Sequence, residues 1–204
     1  WNNDLGDGFA LFTRNSGTVL VISTNYLVFD GVVGYGKSGY GIKINTSDHS
    51  ISQDLISLED ALINQGIIIA HTEANQIVVC YDGTCGTEPK LTIMKTNPGT
   101  LNLHIRNNYW HDTFYNAMLS SRNNDNMIIE HNVFEDIMNK EVISDENSDN
   151  VIVRNNMFIN TAGTGAIEFQ YNNNWDIYNN IFTWNDNRFR YTNNVIGTWT
   201  NGWA

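Results

Sequence analysis

The chain has 204 residues, 41% of them hydrophobic, and a formal net charge of −11 set against only 11 Lys and Arg. That length makes one domain, or at most two, with apolar residues enough for a real core. The charge excludes a phosphate-binding surface, which needs clustered Lys and Arg, and no apolar run approaches the roughly 18 residues of a membrane span; no nucleic-acid partner and no membrane span are expected.

The chain opens on Trp1 rather than Met, so a leader has been removed or the sequence is part of a longer protein. A single domain over 1–204 is expected, with an N-terminal segment or first coil at 1–24, regular coils over 25–190 and a C-terminal segment at 191–204. Asn25 and Val28 begin a loose repeat. Asp48, Ile51, Asp54 and Ile56 make another, with Asp in place of Asn. ISLEDALINQG, at 56–66, reads as an inserted loop. Asn75 and Val78 open a further copy, interrupted by Cys80 and Cys85 around YDGT. Asp82-Gly83 is a turn signal, so these cysteines close a small disulfide loop suited to an oxidising, extracellular setting, or stay a free pair. Their spacing is not that of a zinc site.

From Asn102 onward the repeat is regular. NLHIRNNYW, NMIIEHNVF, NVIVRNNMF and NWDIYNNIF begin at 102, 126, 150 and 174, the same step each time. Asn108, Asn132, Asn156 and Asn180 share a column. Ile105, Ile129, Val153 and Ile177 share another, and Trp110, Phe134, Phe158 and Phe182 a third. A second apolar segment follows, placing Ile42, Leu119, Ile143 and Ile167 at one fixed offset after Asn25, Asn102, Asn126 and Asn150. This period of roughly 24 residues, with two or three short strands per copy, predicts an all-β chain: a single-stranded, right-handed parallel β-helix of about eight coils and a rod roughly 40 Å long. The leucine framework of a leucine-rich repeat is missing.

In such a fold equivalent side chains lie directly above one another. Asn108, Asn132, Asn156 and Asn180 are then expected to form an amide ladder at a bend, each satisfying its neighbour and the bend backbone. Trp110, Phe134, Phe158 and Phe182 form an inward aromatic stack. An exposed amide such as Asn123 is expected to be dispensable.

These repeats resemble the right-handed β-helix proteins of the pectate-lyase-like superfamily from Asn25 to Phe182. EVISDENSDNVIVRNNMF, 141–158, followed by GAIEFQ, 165–170, also resembles the core of the chondroitinase B and alginate lyase family. The resemblance implies a Lys that abstracts the proton alpha to a uronate carboxylate, an assisting Arg, and calcium to neutralise that carboxylate. Here the Lys position falls on Glu146, the Arg position on or near Gln170, and Tyr171 stands where His follows. Glu141 matches one calcium ligand.

Further candidates are the carboxylates Asp112, Glu130, Asp136, Glu141, Glu146 and Glu168, since a hydrolase needs two facing carboxylates. Asp112 and Asp136 share a column, where two close carboxylates repel or bind a cation. With Glu141 they are the calcium candidates, and no other cofactor is expected. Arg106, Glu130 and Arg154 read as an exposed ladder of ion pairs, each worth little. His104, His111 and His131 lie in different columns and form no metal set. Trp184, Tyr191, Trp199 and Trp203 are placed either to stack on sugar rings or to cover an end of the rod. With the lyase Lys and Arg missing, the leading expectation is a non-catalytic, extracellular or cell-surface module that associates end to end with its own copies. A polysaccharide lyase or hydrolase, with a polysaccharide partner, is the alternative.

Overall fold

The computed structural model describes residues 10–15, 17–32, 39–46, 53–58, 66–76, 91–113, 115–120, 123–137, 140–161, 165–171, 173–183 and 195–198. These residues are all-β, without helix. The first repeat is β1 (Ala10–Arg14), β2 (Leu20–Ile22) and β3 (Val28–Asp30). The second is β4 (Ile42–Thr46), β5 (Gln53–Leu58) and β6 (Ile68–Ala70), and the third β7 (Thr72–Gln76), β8 (Leu91–Thr96) and β9 (His104–Arg106). Then come β10 (Tyr109–Thr113), β11 (Met118–Ser120) and β12 (Ile128–Glu130), followed by β13 (Val133–Ile137), β14 (Ile143–Glu146) and β15 (Asp149–Arg154). The last are β16 (Met157–Ile159), β17 (Ile167–Gln170) and β18 (Asn173–Tyr178), with β19 (Ile181–Thr183) and β20 (Ile196–Thr198) beginning a seventh. Each strand pairs in parallel with the strand three further on, giving sheets of seven, seven and six strands.

Alternation along these short strands decides what is buried. In β10, Trp110 points inward between the outward Tyr109 and His111. Stacked in register, the inward column of the first sheet runs Phe12, Ile44, Ala74, Trp110, Phe134, Phe158, Phe182. Phe134 and Phe158 stack with centroids 5.2 Å apart, Phe158 and Phe182 at 4.8 Å, while Trp110 meets Phe134 edge-on at 6.0 Å. The third sheet contributes Ile69, Ile105, Ile129, Val153 and Ile177 and the second Met94, Met118, Ile143 and Ile167, all in one apolar cluster.

Polar groups inside the bend between the third and first sheets are met by Asn108, Asn132, Asn156 and Asn180. Asn132 Oδ1 accepts from both the backbone N and Nδ2 of Asn108 at 3.0 Å, and Asn156 Oδ1 accepts from Asn132 in the same way at 3.0 Å. Asn180 Oδ1 does so for Asn156 at 3.0 and 3.1 Å. Each Nδ2 also donates to a carbonyl of the preceding repeat, from Ile69, Ile105, Ile129 and Val153 respectively. Upstream the place is taken by Thr72, whose N and Oγ1 donate to Asn108 Oδ1.

Other asparagines among the described residues do a different job. Asn102, Asn126, Asn150 and Asn174 hold φ between 55° and 59°, as do Asn107, Asn155 and Asn179 at 54–55° and Asn123 and Asn147 at 59° and 57°. These are left-handed corners, where Asn is tolerated far better than a branched or bulky residue.

Three expectations are corrected here. The copies starting at 48 and 75 are out of register: Asp54 pairs with Thr92 in the second sheet and Asn75 with His111 in the first. The true counterparts of Asn102 are Gly66 and Tyr26, at longer steps than any downstream, as the pairings of Ile68 with His104 and of Val28 with Ile68 require. Ile42 belongs to the first sheet beside Thr72, and Leu119 pairs with Ser144, one residue off the column of Ile143. Ile56–Leu58 is strand rather than inserted loop. Cys80, Cys85, Val78, Trp184, Tyr191, Trp199 and Trp203 lie outside the described residues.

The two kinds of asparagine respond differently to substitution. Asn156→Ala should cost about 1–3 kcal/mol, because it strands buried partners. Asn155→Gly should be nearly neutral and Asn155→Ala should cost about 1–2 kcal/mol of left-handed strain. Asn123, exposed but at φ 59° and bonded by Asn147 Nδ2, should behave like Asn155 and is not dispensable to Ala. Urea unfolding of the four variants checks this ranking.

Candidate active site

The outward face of β14 and β17 gathers the residues of interest. Ser144 lies beside Glu168 and Glu146 beside Gln170, with Ile143 and Ile167 turned into the core. Glu141 enters the same sheet just before β14. It is only 6% exposed, and its carbonyl accepts from Asn116 Nδ2 at 2.6 Å. Its carboxyl meets that of Glu168 within hydrogen-bond reach. Burial first, then the bond and charge of Glu141, push the Glu168 carboxyl up to about 7; Gln170 and the Lys140 charge offset part of this. Gln170 Nε2 donates to Glu168 Oε1 at 3.4 Å.

Two carboxyls this close cannot both ionise at little cost, which adds to burial in keeping the proton on Glu168. A carboxylic acid that keeps its proton near neutral pH is what a general acid requires. Glu141 and Glu168 stand too near each other to hold water between them. Glu146 is different: one strand away from Glu168 and two residues along, it lies roughly 8 Å off at the backbone. An inverting glycosidase needs its two carboxyl groups roughly 6.5–9.5 Å apart to leave room for a water.

The other candidates are placed elsewhere. Asp112 Oδ2 lies 2.6 Å from His111 Nδ1 on the first sheet, and Asp112 and Asp136 hold φ of 48° and 52° within β10 and β13. The three calcium candidates are thus not gathered around one point, and no group of three or more His, Cys, Asp and Glu among the described residues could hold a metal ion. Arg106, Glu130 and Arg154 do share a column, but the expected exposed ladder is corrected: Glu130 is 8% exposed. It accepts from Arg154 Nε at 2.7 Å and bonds His104 Nε2 at 2.8 Å. Burial opposes its ionisation, yet these two partners hold its carboxyl below the usual range. Arg106 stays out of the network, with its Nε buried and without an acceptor. On the first sheet Lys43 pairs with Glu73 at 3.1 Å, and Tyr109 donates to Glu135 at 2.6 Å. Burial, then the bond to Glu135, raises the Tyr109 hydroxyl well above its ordinary range.

Sequence reasoning named Glu141, Glu146 and Glu168 separately and missed that Glu141 meets Glu168. Their separation in the chain is off the step of the repeat, because the contact is diagonal across the sheet.

No family model and no curated protein matches the sequence. Among solved structures, the chain is similar to a "putative glycosyl hydrolase" from Parabacteroides merdae, at 12% identity and a TM-score of 0.48 over 86% of this chain and 82% of that one. A likeness this distant has no bearing on the chemistry.

The retained proton has a thermodynamic signature. An unfolded Glu releases its proton near pH 4.3, whereas folded Glu168 retains it up to about 7. In the window between, the unfolded state binds fewer protons, so stability falls as pH rises and levels off above it. The melting temperature should therefore decline from pH 4.5 to 7.5, and Glu168→Gln should flatten that decline. Parallel curves for the two proteins would contradict the retained proton.

Proposed function

We propose that the chain is a right-handed, single-stranded parallel β-helix that hydrolyses glycosidic bonds in an extracellular polysaccharide. Strand order in steps of three supports the helix reading, and parallel crossovers are right-handed in nearly all sheets. The observation that carries the activity is the contact between the carboxyls of Glu168 and the largely buried Glu141, with Glu146 on the neighbouring strand. Glu168 donates its proton to the glycosidic oxygen as the bond to the anomeric carbon breaks. Glu146 takes a proton from the water that attacks that carbon from the opposite side, and the configuration inverts. Glu146 then loses its proton to solvent and Glu168 regains one.

Elimination has less support, because Glu146 and Gln170 occupy the positions of the lyase Lys and Arg. A net charge of −11 favours a neutral polymer over a uronate or sulfated one. A purely structural, end-to-end assembling module also has less support, since it gives no reason to keep two carboxyls in contact.

The test is a panel of laminarin, xylan and galactomannan beside polygalacturonate, alginate and chondroitin sulfate. New reducing ends should come from a neutral polymer, with an inverted anomer by NMR and activity falling above about pH 7. Absorbance from new double bonds should stay flat on the acidic polymers. Glu168→Gln should lower kcat by about 10²–10⁴-fold. Cleavage that survives both Glu168→Gln and Glu146→Gln would sink the assignment.

A further inference from the structure

Two buried side-chain atoms on the outward side of the first sheet have no hydrogen-bond partner, Asn45 Oδ1 and His111 Nε2. They stand in one column on either side of Asn75, since Asn45 pairs with Asn75 and Asn75 with His111 across β4, β7 and β10. A buried polar atom left without a partner costs free energy and calls for an explanation. The His111 ring is held firmly. Tyr109 stacks on it with centroids 4.1 Å apart, and its Nδ1 lies 2.6 Å from Asp112 Oδ2. A carboxylate only accepts, so Nδ1 carries the hydrogen and Nε2 presents a lone pair. That lone pair faces another acceptor. Glu73 Oε1 lies 3.7 Å from His111 Nε2, while Lys43 Nζ holds Glu73 Oε2 at 3.1 Å.

Two acceptors do not bond each other. Their separation is instead close to the roughly 3.4 Å between two ligands that each lie about 2.1 Å from one tetrahedral ion. A metal-bound His usually donates its other ring N–H to a carboxylate, the arrangement that His111 makes with Asp112. The local charge is one-sided as well. Glu73, Asp112, Glu135 and Asp136 surround the stacked rings, against Lys43. Burial and then Glu73 raise the Tyr40 hydroxyl above its ordinary range, and burial, then Glu135, Asp112 and Asp136, do the same to Tyr109.

We propose that His111 Nε2, Glu73 Oε1 and the amide oxygen of Asn75 bind one zinc ion, with water completing its shell. An Asn75 amide turned with its oxygen to the ion presents Nδ2 to Asn45 Oδ1, so a single ion accounts for both unpartnered atoms. The imidazole nitrogen selects a first-row transition metal over calcium, which takes oxygen ligands. Only two of the ligands are of the His, Cys, Asp and Glu kind, and the third is an amide. The site lies on a different sheet from Glu141 and Glu168 and does not depend on the reading of their face.

The test uses protein without an affinity tag, carrying Cys80→Ser and Cys85→Ser so that thiols take no metal. It is titrated with zinc by calorimetry and with cobalt by visible absorbance. One ion per chain should bind, and zinc at about 100 times its dissociation constant should raise the melting temperature by about 5–10 °C. His111→Gln should abolish binding, and Glu73→Gln should weaken it at least tenfold. Asp112→Asn should weaken it by about 10–100-fold through the ring it orients. Asn tolerates the left-handed φ of 48° at that position, so this variant keeps the test open should His111→Gln fail to fold. His131→Gln, an exposed His on the third sheet, should bind as its parent does. No saturable binding of zinc or cobalt, binding that survives His111→Gln, or displacement of zinc by an equal concentration of calcium overturns the site.

Discussion

The structure depends on one constraint: each three-strand repeat must pair with its counterpart about 4.8 Å away in parallel sheets. A buried amide satisfies it better than most groups, since its oxygen and nitrogen serve neighbours on opposite sides. Asn132 accepts from Asn108 and donates to Asn156 without leaving the bend, and its second amide hydrogen goes to Ile105 O. Replacing the column with apolar residues would leave bend carbonyls and N–H groups without partners, a cost that recurs at every repeat. The aromatic stack can form because the amides fix the register beside it. Phe134, Phe158 and Phe182 stack at 4.8–5.2 Å because their strands are held at that separation.

The same constraint governs the outward columns. Stacking is favourable where charges alternate, as in Lys43 beside Glu73 or Glu130 beside Arg154. Strands on a shared core also set outward side chains more firmly than loops do. Glu146, Glu168 and Gln170 are spaced by strand geometry, so the separation of Glu168 from Glu146 is a property of the sheet.

How much of this was legible follows from the insertions. From Asn102 the step is constant along the ladder, and period, aromatic column and ladder could be read directly. Upstream the steps lengthen between Tyr26, Gly66 and Asn102, and Thr72 stands where the ladder calls for Asn. The looser copies at 48 and 75 were matched on composition, which cannot tell which sheet a strand joins. Nor can composition tell Asn156, buried and bonded on both sides, from Asn155 at φ 55°. Adjacent asparagines carry opposite requirements, one needing its side chain and the other its backbone. Diagonal contacts were equally hidden. Glu141 to Glu168 and His104 to Glu130 cross between columns, whereas a repeat displays only what lies within one.

Glu141 and Glu168 are therefore informative in a way the ladder is not. A repeating sheet has a simple remedy for two carboxyls in contact: Gln at either position keeps the size and the hydrogen bond and removes the charge. Gln170 shows that the amide is accommodated on this very face. Lys140 opposes the repulsion only in part, and the carboxyl of Glu168 remains displaced to about 7. A stress that a single amide would relieve is hard to account for by stability. Its physical consequence is a carboxyl that keeps its proton near neutral pH on a rigid sheet, the property that the proposed acid catalysis requires.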